Sequence, residues 1–143
     1  MLNHINFLNI AEEVSKGSKC ISKQVGAVIV KEGRILSIGY NGTPKGYKNC
    51  CEFHKEDNEG HHEWSKKFEI HAEMNALLWA ARQGISVDGA DIYSTLEPCA
   101  DCSKNLIAAG VKNIFYKTPY KHTGSDITDF LRDCGVHKEH IFW

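Results

Sequence analysis

DIYSTLEPCADCSKNLIAAGVKNIFYK, residues 91–117, reads as a strand, a helix and a second strand. Asp91 to Leu96 is a short run rich in strand-forming side chains, bounded by Pro98. Cys99 to Ala109 has helical character and is closed by Gly110, after which Val111 to Lys117 returns as a strand. Upstream, Met74, Leu77, Leu78 and Ala81 form an apolar stripe at helical spacing that begins near His71 and ends at Gly84. Further upstream, Val25 to Lys31 and Ile35 to Tyr40 flank Glu32-Gly33 as a hairpin, and Ile5 to Val14 suggests an opening helix. Downstream, Ser125 to Cys134 reads as a helix and Ile141-Phe142-Trp143 as a short terminal strand. This alternation predicts an α/β fold with a largely parallel sheet and helices on both faces. The polar stretch from Thr43 to Lys67 is long for a structureless loop, which points to a functional or metal-bound segment.

A chain of 143 residues fits one domain, residues 1–143, and is long enough to build its core without disulfides. The net charge of −1 argues against a polynucleotide partner, since phosphate contacts normally demand a basic surplus. Lys16, Lys19 and Lys23 nevertheless form a local basic patch suited to phosphate. The N-terminus lacks the apolar core of a signal peptide, and no apolar run is long enough to span a bilayer. A cytoplasmic chain keeps its thiols reduced, so metal binding accounts better than disulfides for clustered cysteines. Cys134, alone near the end, is expected to be buried.

Two short motifs carry chemistry. His71-Ala72-Glu73 precedes Pro98-Cys99-Ala100-Asp101-Cys102 by about two dozen residues. One imidazole and two thiols, three residues apart on one helical face, are a ligand set that zinc accepts while keeping a fourth position open. A structural zinc normally takes four protein ligands and has no use for a glutamate two residues past the histidine. Helix N-termini favour thiolate at Cys99 and Cys102. Zinc would supply an activated water, and Glu73 would act as both base and acid in hydrolytic loss of ammonia from an amino-substituted ring. The pattern His-x-Glu then Pro-Cys-x-x-Cys is the signature of zinc-dependent nucleobase deaminases.

Nearly the whole chain resembles the deoxycytidylate deaminases of the zinc-dependent cytidine/deoxycytidylate deaminase family, including phage-type enzymes. The resemblance rests on Gln24 to Val30, Gly39-Tyr40-Asn41-Gly42-Thr43-Pro44, His71 to Ala76, Tyr93 to Cys102, and Ile107 to Gly110. It implies a three-layer α/β/α fold around a five-stranded mixed sheet, conversion of dCMP to dUMP for thymidylate synthesis, and a homo-oligomer, commonly a hexamer. It further implies activation by dCTP and inhibition by dTTP with Mg2+, through an allosteric nucleotide at Gly39, Tyr40, Asn41 and Gly42 together with Lys23. In the substrate site it implies Asn41 on the deoxyribose hydroxyl and Tyr120 stacked on the cytosine, with Lys121 and His122 as phosphate contacts. Some relatives carry a second, structural zinc, for which Cys20, Cys50 or Cys51, and His61 or His62 are the candidates here, with Glu69 as a substitute ligand. Two other readings stay open: a sister deaminase acting on a nucleoside, a free base or tRNA adenosine, and a zinc-stabilised nucleotide sensor without turnover. Glu73 argues against the sensor, which needs no proton shuttle.

Overall fold

The computed structural model describes residues 1–56, 58–120 and 126–143. In chain order the elements are α1 (His4–Ser15), β1 (Gly26–Lys31), β2 (Arg34–Tyr40), α2 (Cys50–Phe53), α3 (Glu59–Phe68) and α4 (Ala72–Arg82). They continue with β3 (Asp91–Leu96), α5 (Ala100–Ala108), β4 (Asn113–Thr118), α6 (Thr128–Asp133) and β5 (His137–His140). One five-stranded sheet runs β2-β1-β3-β4-β5. β3, β4 and β5 are parallel, whereas β1 is antiparallel to both β2 and β3. The sheet is therefore mixed, and the largely parallel sheet expected from the element order is corrected. The reason is the hairpin: Glu32 and Gly33 both take positive φ (54° and 76°) and reverse the chain in two residues, and β1 then docks antiparallel beside β3.

Alternation along β1 divides the core. Val28 and Val30 face Phe7, Leu8 and Ala11 of α1, together with Tyr93 and Phe115. Ala27 and Ile29 face the other way, onto Ala72, Ala76 and Ala80 of α4, Leu106 of α5 and Leu131 of α6. A strand period of two placed between two helical stripes gives three layers. α4 lies close on the sheet because Gly39 of β2 has no side chain: a Cβ there would fall 2.4 Å from the Ala76 nitrogen. Beside it Ser37 Oγ donates to the Ala76 carbonyl at 2.7 Å.

Two other expectations change, and the polar stretch proves to be structured. The polar stretch after Pro44 contains α2 and α3, the latter begun by Asn58, whose side chain accepts the His61 N–H at 3.0 Å. The last strand is His137–His140, not residues 141–143, and Phe142 and Trp143 beyond it are exposed. Cys134 is exposed at the end of α6 rather than buried. The expected helix start at Ser125 lies outside the described residues.

Candidate active site and a second ligand cluster

The two helices that carry the motifs begin on their ligands. His71 is the N-cap of α4, with extended backbone and no capping bond from its ring, so the imidazole is left for other partners. Cys99 is the N-cap of α5, and its thiol accepts the Cys102 N–H at 3.5 Å. β3 leads into α5 through Glu97 and Pro98, which delivers both thiols to the end of the sheet where α4 starts. His71 Nδ1 then lies 3.6 Å from Cys99 Sγ and 3.4 Å from Cys102 Sγ. Among the described residues no fourth ligand atom joins this group. One nitrogen and two sulfurs converging on a point, with one side open, fit a zinc ion that keeps a coordination position for a small molecule.

The electrostatics agree with that fit. Glu73, in the first turn of α4, is only 4% exposed, and burial pushes its carboxyl up to about 7. Hydrogen bonds from Cys102 and then His71 hold the Cys99 thiol at about 4, outweighing its burial. Cys102 is pushed the other way, chiefly by sharing its proton with Cys99 and by burial. His71 is raised, first through its contact with Cys99. Cys99 is thus the sulfur most disposed to thiolate, the form that binds a divalent cation.

His71, Glu73 and Cys99 open onto a cavity also lined by Lys23, Asn41 and Tyr120. The Asn41 side chain is already engaged: its oxygen accepts the Val25 N–H and its nitrogen donates to the Lys23 carbonyl, each at 2.9 Å. The Lys23 ammonium sits 4.6 Å from the centre of the Tyr120 ring. Lys121 and His122 lie outside the described residues. A separate cavity is lined by Gly39, Tyr40, Asn41 and Gly42 with Asn75, Trp79 and Arg82. Lys23, grouped with that loop on the sequence, lines the first cavity instead.

A second group of ligand-type side chains gathers Cys20, Cys50, His61 and Glu69, with all ligand atoms within 4.8 Å of one another. His61 Nε2 is 3.0 Å from Cys50 Sγ, 3.9 Å from Cys20 Sγ and 3.6 Å from Glu69 Oε1. Glu69 Oε1 is buried without a hydrogen-bond partner, and burial pushes the Cys50 thiol up to about 12. An orphaned carboxylate oxygen facing two thiols and an imidazole fits a four-coordinate structural zinc. Cys51 and His62 do not join the group and are exposed. Each neighbours a ligand on a helix, where consecutive side chains point in different directions, so only one of each pair can face inward. Glu69 stands two residues before His71, a position with no motif around it, and only its chemistry marks it. Glu97, which borders the cavity and accepts the Tyr120 N–H at 3.0 Å, carries no such mark in the sequence.

Residues 1–118 match the family model described as the cytidine and deoxycytidylate deaminase zinc-binding region. The deoxycytidylate deaminase of Enterobacteria phage T4 is 40% identical over 90% of this chain and 84% of its own length. The mouse protein of the same name is 32% identical, over 85% of this chain and 68% of its own. Among solved structures, the dCMP deaminase of cyanophage S-TIM5 in complex with dCMP and dUMP is similar with a TM-score of 0.80 at 39% identity. That match covers 99% of both chains.

Proposed function

Because the chain belongs to the cytidine and deoxycytidylate deaminase family, we propose that it converts dCMP and water to dUMP and ammonia. The observation that carries the reading is the meeting of His71, Cys99 and Cys102 at one point, with the buried Glu73 beside them in a shared cavity. His71, Cys99 and Cys102 would hold the zinc, which when bound would lower the pKa of water and so supply a nucleophile at neutral pH. Glu73 takes a proton from the attacking water at its carboxylate and returns it to the ring nitrogen. The same carboxyl then takes the proton of the newly added hydroxyl and passes it to the amine as the C–N bond breaks. The two protons of water thus end on the ring nitrogen and in ammonia. A carboxyl raised by burial suits both directions of transfer. Tyr120 offers the base a flat wall, and Asn41, braced against the backbone of Lys23 and Val25, has further hydrogen-bonding capacity for the sugar hydroxyl. Cys20, Cys50, His61 and Glu69 hold a second zinc that fastens α3 to the segment before β1.

The product would feed thymidylate synthesis. The cavity at Gly39–Gly42 supports control by dCTP and dTTP with Mg2+, and the exposed Ile38, Leu78 and Trp79 beside it support a homo-oligomer. The test is ammonia release from dCMP, CMP, deoxycytidine and cytidine, with and without each triphosphate, alongside the protein's mass in solution. Turnover of dCMP alone is expected. Preference for a nucleoside would move the chain to a sister activity, and silence on all four by zinc-loaded protein would overturn the reading. Glu73→Ala should lower kcat by about a thousandfold or more and leave the zinc content of the protein unchanged.

A further inference from the structure

Glu97 joins two walls of the cavity that the sequence separates by more than twenty residues. Its main-chain N–H donates to the Thr118 carbonyl at 2.8 Å, and its carboxylate Oε1 accepts the Tyr120 N–H at 3.0 Å. One residue therefore grips the exit of β4 on both sides of Pro119, which has no N–H of its own to contribute. The other carboxylate oxygen, Oε2, pairs with the Lys138 ammonium of β5, and the two side chains are only 16% and 15% exposed. Lys138 passes within 5.6 Å of the centre of the Tyr116 ring, so the ion pair reaches from the end of β3 across β4 to β5. On its other side Glu97 is two residues from Cys99. Glu97 thus links the thiol ligands to the Tyr120 wall through both its main chain and its side chain.

We propose that Glu97, anchored by Lys138, is a positioning residue that holds Tyr120 at a fixed place on the cavity wall, and with it the base relative to the reacting centre. The inference rests on the deaminase reading above. A carboxylate suits the task because it can accept from an amide on one oxygen and from an ammonium on the other. Glutamine keeps the first bond through its one oxygen but turns an NH2 donor toward Lys138 and so loses the ion pair, while alanine keeps neither.

The experiment compares Glu97→Ala, Glu97→Gln and Lys138→Met in the zinc-loaded protein. Glu97→Ala should raise KM for dCMP about tenfold or more with a smaller change in kcat, and Glu97→Gln should recover most of the loss. Tyr120→Ala should show a similar rise, and adding Glu97→Ala to it should do no further harm, since the two residues act through one contact. Fully additive effects, or a lowered melting temperature with KM unchanged, would overturn the proposal. Hydrogen exchange at the Tyr120 amide supplies a reading that needs no substrate. It should speed up about tenfold or more in Glu97→Ala, or in Glu97→Leu should the alanine variant fail to fold, and much less in Glu97→Gln and Lys138→Met, which keep an acceptor for that N–H. Unchanged exchange overturns the positioning role. A wild-type protein silent on dCMP would sink the deaminase reading alone, and the exchange result would still decide the role of Glu97.

Discussion

Glu73 sits in an environment that opposes its charge, and its chemistry needs that environment. Its carboxyl ordinarily ionises near 4.5 and, buried in α4, does so near 7. As pH rises through this window the unfolded chain releases the proton first, so the metal-free fold is progressively penalised and the full deficit is present above about 7. A gap of this size corresponds to about 3 kcal/mol. Metal-free Glu73→Gln should therefore melt higher than the metal-free wild type at pH 8, with the difference shrinking toward pH 4 in thermal melts. Equal melting points at pH 8 would show that the carboxyl is not desolvated. At this scale the sequence is very informative where chemistry restricts the residue type: His71, Glu73, Cys99 and Cys102 are visible from their spacing. Glu97 is not, because a glutamate at the end of a strand looks like any solvated charge until the fold buries it, and Glu69 enters only as a substitute ligand.

The elements deliver those side chains through close contacts that composition does not reveal. Gly39 lets β2 lie against α4, and any Cβ there meets the backbone of Ala76, which cannot yield as a flexible side chain would. Gly39→Ala should destabilise the fold by about 3 kcal/mol and lower activity as well, since the helix pushed aside carries Glu73. Denaturant titration and turnover measured on the same variant would check both, and an unchanged midpoint would refute the contact. Helix periodicity also explains the second ligand group. Cys50 and Cys51, or His61 and His62, are equivalent in a list of residues but lie at different angles on α2 and α3, and only the helices choose between them. The segment after Pro44 shows no apolar stripe of its own, because α3 is held by its capping Asn58 and by His61 rather than by a broad apolar face.

For the whole molecule, the parallel unit β3-α5-β4 and the two helical layers are legible from apolar periodicity. The strand order is not, since the hairpin could have paired at either edge of that unit, and the side chains of β1 are buried on both faces. The choice is made by packing: β1 beside β3 lets Ala27 and Ile29 cover α4 while Val28 and Val30 cover α1. This placement also brings the segment before β1, with Cys20 and Lys23, to the cavity that β3 and α5 border. The two ligand groups consequently open on one space, and the folded protein should bind two zinc ions per chain, read by elemental analysis. One ion per chain would assign the second group a purely hydrogen-bonded role.

Glu69 belongs to one ligand group and His71 to the other, and only Ile70 stands between them. Ile70 is itself pinned, its N–H donating to the Gly42 carbonyl at 2.8 Å and its carbonyl accepting the Gly42 N–H at 3.1 Å. A span of about 7 Å of chain, clamped at its middle, cannot release one end and leave the other undisturbed. Under a graded chelator challenge both ions should leave in a single cooperative step, with loss of the metal at Cys20, Cys50, His61 and Glu69 coinciding with loss of turnover. Two well-separated steps would break that linkage. Such a protein would meet zinc scarcity as an all-or-none event, ceasing turnover outright instead of persisting as a half-loaded, slow catalyst.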